Sequence, residues 1–370
     1  MANNNKHTGP NVPALRFPEF SGEWKTFQLS DLAAYSKERV KMEILSSNNY
    51  VSTENMQQDF AGIKDAISLP SSGSAVEFQV GDILISNIRP YLKKIWLSDR
   101  NGGCSTDVLA LRTKNEKVDS SFLYCCLAND DFVSYVMSGA KGVKMPRGDK
   151  QHIMSYNLGV PSVQEQRRIA ELVSLLEKRI SAQSKIIEEQ ETLLRSLRHT
   201  LFNQCLDSHT QCRIGDILSI GSGKDYQHLR EGEIPVYGTG GVISHVNESL
   251  YDGESVCIGR KGTINKPLYL SGRFWTVDTL FYTHSFNGIL PRFCYHLFCT
   301  IDWLTYNEAS GVPSLSKSTI EKILVSIPQI DIQKWIVQIL DSIEEKINID
   351  RNTLLDYQKQ KIYLLSRMFI

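Results

Sequence analysis

The sequence predicts an α+β fold: two mixed α/β domains separated by two long antiparallel coiled-coil helices, built as a pseudo-two-fold internal repeat. Three observations predict it. First, the stretch from Pro161 to Gln204 recurs from Pro328 to Ile370 at an offset of 167 residues. Pro161 falls on Pro328, Gln166 on Gln333, Ile169 on Ile336, Leu197 on Leu364 and Phe202 on Phe369. Second, each copy carries apolar residues at heptad spacing. Third, the segments preceding the two copies share a plan of short apolar runs, turns and one helical stretch, the signature of a mixed domain.

Residues Met1 to about Asn11 are polar and Asn-rich, which predicts disorder, and they lack a hydrophobic signal core. The arm, residues 1–23, continues through Pro13 to Phe20, with Trp24 just beyond. Its two prolines and the aromatics Phe17, Phe20 and Trp24 predict an extended segment pinned to a surface. The first domain spans residues 24–160. Lys25 to Ala33 alternates like a strand, Val80 to Ser86 reads as a turn leading into a buried strand, and Asp107 to Leu111 is another short apolar run. Ser120 to Met137 has helical spacing, with Phe122, Cys126, Phe132 and Val136 on one face.

The first spacer helix spans 161–205. Ile180, Ile187, Leu194 and Leu201 form one row, with Leu176 and Leu197 beside it. The second domain spans 206–327 and repeats the plan of the first. Ile214–Leu218 matches Leu29–Leu32, Tyr251–Val256 matches Phe78–Ile83, and Thr276–Leu280 matches Thr106–Leu109. Pro291 to Thr305 repeats the helix, and Gly311–Lys317 sits where the first half has Gly142–Lys150. The second spacer helix, 328–370, places Ile347 and Leu354 on one row and Ile336, Ile343, Tyr357 and Leu364 on the other.

Spacings of three and four line one stripe of a helix and bury it against a partner. About 40 residues at 1.5 Å each make helices of about 60 Å. Gln183, Gln190, Asp350 and Lys361 interrupt the seam; polar seam residues cost stability but set register and partner. Two unrelated amphipathic helices would leave the shared register unexplained. The two helices are more alike than the two domains, which implies one scaffold holding two devices for different targets. Closing such a ring would place the Pro13–Phe20 arm near the end of the last helix.

Composition excludes several functions. Lys plus Arg number 41 and Asp plus Glu number 41, so any attraction to nucleic acid must be local. The eight cysteines, Cys104, Cys125, Cys126, Cys205, Cys212, Cys257, Cys294 and Cys299, form no C-x-x-C pair and no zinc spacing. They read as buried free thiols in a reducing cytosol, so a cytoplasmic location is expected. No apolar run approaches 18 residues, so no membrane span is indicated. Neither a G-x-x-x-x-G-K-[ST] loop nor a helix-opening G-x-G-x-x-G occurs. Gly238 to Gly241 sits in a turn between short strands. Asn87-Ile88-Arg89-Pro90-Tyr91 is the nearest string to the adenine-methylating N-P-P-Y tetrapeptide and lacks the proline pair. His199, His228 and His284 are dispersed and read as structural or surface residues. No catalytic group and no metal ligand set is assigned, and that favours a binding protein.

What the domains offer is basic loops. Gly259 to Lys266 carries Arg260, Lys261 and Lys266 within an acid-free run from Ser255 through Val277. Its counterpart, Asn87 to Lys94, carries Arg89, Lys93 and Lys94. A third cluster holds Lys141, Lys144, Arg147 and Lys150; Lys224, Tyr237 and Lys317 complete the candidate DNA-binding set. Glycines let backbone approach a phosphate chain, Lys and Arg replace its counterions, and Arg can grip guanine in two places. Any one cluster could be a solvated surface loop. Recurrence of a basic turn in both domains points to Arg89 and Arg260.

These residues resemble a family. Pro13-Ala14-Leu15-Arg16-Phe17-Pro18-Glu19-Phe20 through Trp24 is similar to the N-terminal signature of the specificity (S) subunit of bacterial Type I restriction-modification systems. Pro161 to Ile169 resembles the start of that family's central helix, and Ile234–Gly241 and Ile258–Gly262 resemble motifs of its target recognition domains. The second helix departs from the pattern, with Ile332-Gln333 in place of the usual Glu-Gln. The resemblance covers nearly the whole chain. It implies that each target recognition domain reads one half of an asymmetric bipartite double-stranded DNA site and that the helices act as a ruler. It also implies docking of two modification (methyltransferase) subunits, which methylate adenine with S-adenosyl-methionine, and of restriction subunits, which use ATP and Mg2+. On that reading this chain is non-catalytic and holds no cofactor. The alternative is a coiled-coil scaffold with two protein-binding domains; a single-chain nuclease or methyltransferase is disfavoured by the missing motifs.

Overall fold

The computed structural model describes residues 11–114, 116–204 and 210–370. The disorder expected near the N-terminus, and Cys205, lie outside the described residues, Asn11 excepted. The chain divides into two compact units: residues 1–182 with 354–370, and residues 183–353. Each unit holds one mixed domain together with a part of each long helix.

In the first unit, strands Lys25–Gln28 and Asn157–Val160 pair antiparallel where the domain begins and ends. Between them lie two four-stranded sheets. One runs in the order Ala33–Tyr35, Val108–Thr113, Ile83–Ser86, Ile95–Leu97. The other runs Arg39–Lys41, Ser74–Phe78, Gly102–Cys104, Tyr50–Val51. Alternation splits the first sheet between two cores. Ile83, Ile85, Leu109 and Leu111 pack with the helices Ser120–Leu127 and Asp130–Ser138, where Leu29, Leu32, Phe122, Leu127 and Phe132 are fully enclosed. Leu84, Trp96, Val108 and Ala110 pack instead with Val51, Phe78 and Cys104 of the second sheet.

The expected strand from Lys25 to Ala33 is corrected: it stops at Gln28, and Leu29–Leu32 makes one helical turn. Leu29 and Leu32 are both completely buried, and residues three apart share a face only in a helix. The single helix expected over Ser120–Met137 is two helices. Asn129 separates them, its amide donating to Cys126 O at 2.7 Å and its side-chain oxygen accepting from Phe132 N at 2.9 Å, an N-cap for the second.

The second unit repeats this plan. Strands Thr210–Arg213 and Leu324–Ile327 pair at the domain's ends. The sheet Ser219–Ser222, Leu280–His284, Ser255–Gly259, Leu268–Leu270 has the connectivity of its counterpart. The helical turn recurs at Ile214–Ile217, with the Asp216 carboxylate accepting from Arg213 N as Asp31 does from Gln28 N. The other sheet differs. Both domains share a three-strand core with one parallel pair, but Arg39–Lys41 adds beyond one edge and Gly241–Val246 beyond the opposite one. The helix expected over Pro291–Thr305 ends at Phe298; Trp303–Tyr306 is a separate 3-10 turn with Trp303 buried.

The long helices are Val163–Gln204, 42 residues, and Ile330–Met368, 39 residues. In the first unit Glu177 meets Lys361 at 2.7 Å. In the second, Glu191 meets Arg351 at 2.6 Å and Arg198 meets Glu344. One partner's number climbs as the other falls, so the segments run antiparallel. Leu176, Ile187, Leu194, Ile336 and Ile347 are buried, and the remaining seam residues are half-buried. The polar interruptions pair among themselves: Gln190 donates to the Asp350 carboxylate at 2.8 Å, and Gln183 to the Asp350 carbonyl at 3.4 Å.

The repeat extends to individual bonds. The Gln166 side chain accepts from Asp119 N and donates to Lys117 O and Pro161 O; Gln333 accepts from Leu290 N and donates to Gly288 O and Pro328 O. Phe369 stacks on Phe122, and its counterpart Phe202 packs on Phe293. The arm lies at the end of the last helix, as expected: Leu15 N donates to Arg367 O at 2.9 Å. Arg16 grips buried Glu165 with two bonds of 2.7 Å. Ile332, which stands where Glu165 does, is half-buried and needs no such partner.

Cys104, Cys125, Cys126, Cys257 and Cys294 are buried free thiols, while Cys212 and Cys299 are partly exposed. Burial pushes Cys104 and Cys257 up to about 12, which suppresses the reactive thiolate. No helix among the described residues is long and apolar enough to cross a membrane.

Candidate nucleic-acid interface

In each unit a turn leaving the central sheet is bridged to a second loop that precedes the last short helix. In the first unit Asn87 N donates to Asp107 O, Arg89 N to Pro146 O and Gly148 N to Asn87 O. In the second, Arg260 N donates to Thr279 O, Gly262 N to Pro313 O and Leu315 N to Arg260 O. The bonds are the same, and they bring Asn87–Lys94 onto Lys141–Lys150 and Gly259–Gly262 onto Gly311–Lys317. The loops are counterparts, but their basic residues do not align one to one. By hydrogen bonding, Asn87 stands where Arg260 does, Ile88 where Lys261 does, and Arg89 where Gly262 does. Arg89 has φ of 49° and Gly262 of 93°, so both occupy the left-handed region. A side chain there costs on the order of 1 kcal/mol that glycine avoids.

In the first unit Arg89, Lys141, Lys144, Arg147 and Lys150 are exposed. Arg89 and Lys144 have no ion pair among the described residues. Lys141 meets Asp149 at 2.7 Å and Arg147 meets Asp107 at 3.3 Å. The Lys141 ammonium and two backbone N–H groups hold the Asp149 carboxyl down to about 2. Exposed pairs of this kind contribute little to stability, so a phosphate can replace either carboxylate at small cost. Lys150 lies over the Tyr35 ring at 5.9 Å. Lys93 and Lys94 already have partners, Asp130 at 2.8 Å and Thr53 O at 2.7 Å, and are half-buried.

In the second unit Ser222, Phe281 and Gly259 lie at one end of the central sheet. The loops leaving that end surround an open cavity of about 580 Å3 lined by Arg260, Lys261, Phe281, Glu308, Ser316 and Lys317, among others. Arg260 sits over the Phe281 ring at 6.0 Å, and Lys317 lies 3.7 Å from Glu321. Lys224 and Tyr237 bond through backbone to Thr276 and Val277, on a neighbouring edge. Lys266 is exposed on its own turn, and no hydrogen bond among the described residues ties it to the others.

Two features escaped the sequence reading. Glu308 enters the cationic cavity; no motif marks it, and it becomes visible only through loop pairing. The other is a partly buried cluster in the second unit, built around buried His296. His296 and Asp341 are 2.7 Å apart, and with Glu344 they offer three potential metal-ligand atoms within 4.8 Å. Arg292 meets Asp341 at 2.8 Å and also Glu344, while Arg198 donates to His296 Nδ1 at 3.2 Å. The guanidinium groups already neutralise the carboxylates, so the cluster reads as a tie between the domain and both helices. Burial lowers the His296 pKa despite the Asp341 hydrogen bond, consistent with a neutral ring accepting from Arg198.

The chain matches the family described as Type I restriction modification DNA specificity domain twice, over residues 21–191 and 209–356. It is 24% identical over 222 residues to the Type I restriction enzyme MjaVIII specificity subunit of Methanocaldococcus jannaschii, covering 59% of this chain and 50% of that one. It is 24% identical over 146 residues to the Escherichia coli Type I restriction enzyme EcoprrI specificity subunit, covering 36% of each. The matched stretches thus span half the length of these curated relatives or less. In structure it is similar to the Type-I restriction-modification system S subunit from M. genitalium, with TM-score 0.70, 17% identity and coverage of 97% and 99%. A second similar chain comes from work on complex assembly and conformational transition of the type I R-M system, with TM-score 0.57, 15% identity and coverage of 93% and 97%.

Proposed function

The chain belongs to the Type I restriction-modification DNA specificity family, and from that premise we propose that it selects a bipartite, asymmetric double-stranded DNA site for modification and restriction subunits. The single observation that carries the reading is the loop pair: the same backbone bonds hold loops with exposed cations that have no ion pair among the described residues, Arg89 and Lys144 in one unit and Arg260 and Lys261 in the other. Cations free of intramolecular partners release counterions when they meet phosphate. The loops differ in sequence between units, so the two half-sites differ. The long helices set the unread gap between them. Their exposed faces, which carry Glu188 and Glu189, receive two modification subunits. S-adenosyl-methionine, ATP and Mg2+ belong to those partners, and this chain contributes selection without catalysis.

The test uses the chain assembled with its modification subunits. Double substitution of Arg260→Ala and Lys261→Ala should flatten the slope of log K against log salt by about two units if both meet phosphate. An unchanged slope, with unchanged site preference, would leave a scaffold with two protein-binding domains as the better reading.

A further inference from the structure

Among the side chains lining the cavity on the proposed DNA face of the second unit, one carries the wrong sign. Glu308 lines the same cavity as Arg260, Lys261 and Lys317. A carboxylate beside a phosphate-binding surface is repelled by the duplex unless something on the duplex donates to it. Its geometry is built. Oε1 accepts from Ser316 N at 3.2 Å, from Ser316 Oγ at 2.7 Å and from Thr319 Oγ1. All three donors are neutral. Among the described residues no hydrogen bond or ion pair reaches Oε2, and the side chain is exposed. The Thr319 hydroxyl, and after it the Ser316 hydroxyl, lowers the pKa, so the group is charged at neutral pH.

The other unit supplies the comparison. Glu308 N donates to Ser314 O at 3.0 Å, as Lys141 N donates to Arg147 O at 2.9 Å. Glu308 reaches Ser316, the N-cap of the helix Lys317–Lys322, as Lys141 reaches Asp149, the N-cap of Lys150–Met154. One loop position therefore carries an ammonium in one unit and a fixed carboxylate in the other. A loop that serves only to attract phosphate has no use for that reversal, whereas a loop that distinguishes bases does.

Base edges in the major groove offer two donors, the amino groups of cytosine and adenine. The adenine amino group stands beside the N7 acceptor, which repels a carboxylate; the cytosine amino group stands beside a C–H. We propose that Glu308 is a specificity-determining residue whose Oε2 accepts from the amino group of a cytosine in the half-site read by the second unit. The inference rests on the DNA-binding reading above and deepens it.

The experiment compares wild type, Glu308→Gln and Glu308→Ala, each assembled with its modification subunits, by selection from random duplexes and by sequencing the methylated sites. In the Glu308→Gln variant the amide oxygen still accepts from Ser316 and Thr319, so the loop persists, while the amide N–H2 faces the base. Preference at one position should move from cytosine toward a base presenting an acceptor, guanine or thymine, by about tenfold. Glu308→Ala should lose preference at that position alone. Unchanged preferences at every position in both variants would overturn the inference, and so would a uniform loss of affinity with no change of preference, which is the signature of a loop-holding role. Absence of any sequence preference in the wild type would instead overturn the DNA-binding reading itself.

Discussion

Gln166 and Gln333 give the sharpest test of whether the internal repeat is a physical repeat. Each is completely buried. Each makes three hydrogen bonds, one to a backbone N–H and two to carbonyls, at 2.8 to 3.0 Å in both units. Those bonds join the domain to the first turn of the long helix that follows it. Replacing either glutamine by methionine keeps the volume and strands the three backbone groups. At about 1 kcal/mol net per bond, each substitution should cost about 3 kcal/mol. For a unit of this size that lowers Tm by about 6–12 °C. The assay is thermal unfolding of the full chain together with amide exchange at Asp119 and Leu290, the residues whose N–H groups lose their acceptors. Gln166→Met should raise exchange at Asp119 only, and Gln333→Met at Leu290 only, with similar losses of stability. A cost below about 0.5 kcal/mol for either, well under the value of one hydrogen bond, or exchange unchanged at its own amide, would refute the claim that these side chains fasten domain to helix.

Charge reversal at exposed Glu188 and Glu189 should weaken pull-down of modification subunits while leaving the methylated motif unaltered; an altered motif with normal assembly would contradict the assignment of that face. Asp350 is buried in the seam, and its pKa is lowered first by the Lys346 hydrogen bond and then by Gln190. A carboxylate whose folded pKa lies below its unfolded value contributes stability that is present above the unfolded pKa, about 3.9, and is lost as pH falls through the folded pKa. Asp350→Asn should therefore be less stable at neutral pH and show a shallower loss below about pH 4, measured by urea unfolding across pH. Adding seven residues after Gln183 and seven after Asp350 preserves the seam and lengthens each helix by about 10 Å, near three base pairs. The unread gap should grow by that amount or binding should be lost; changed half-site bases with an unchanged gap would defeat the proposal that the helices act as a ruler.

Much was legible in the chain because it is written locally. Heptad spacing is a property of neighbours along one helix, so Leu176, Ile187, Leu194, Ile336 and Ile347 were identified as seam residues before any partner was known, and they are buried. The offset repeat likewise announced that Gln166 and Gln333, or Phe202 and Phe369, occupy equivalent places. Alternation misled between Lys25 and Ala33, because a four-residue turn with two buried leucines looks like a strand until the core shows which face they share.

The candidate site was legible as loops and not as residues. A basic turn recurs in both domains, but backbone bonding and conformation place Arg89 where Gly262 stands, so Arg89 and Arg260 are not counterparts. Lys93 and Lys94 look like their basic neighbours in sequence; only the structure shows them bonded to Asp130 and Thr53. Glu308 had no signal, since its meaning depends on Ser316, Thr319 and Arg260. Periodicity and composition over short spans encode the repeat, the helices, the seam and the presence of basic loops. Tertiary structure decided which loops meet, in what register and with which charges left free, because bonds such as Arg89 to Pro146 and Gly262 to Pro313 join residues far apart in the chain, and no local pattern encodes their alignment.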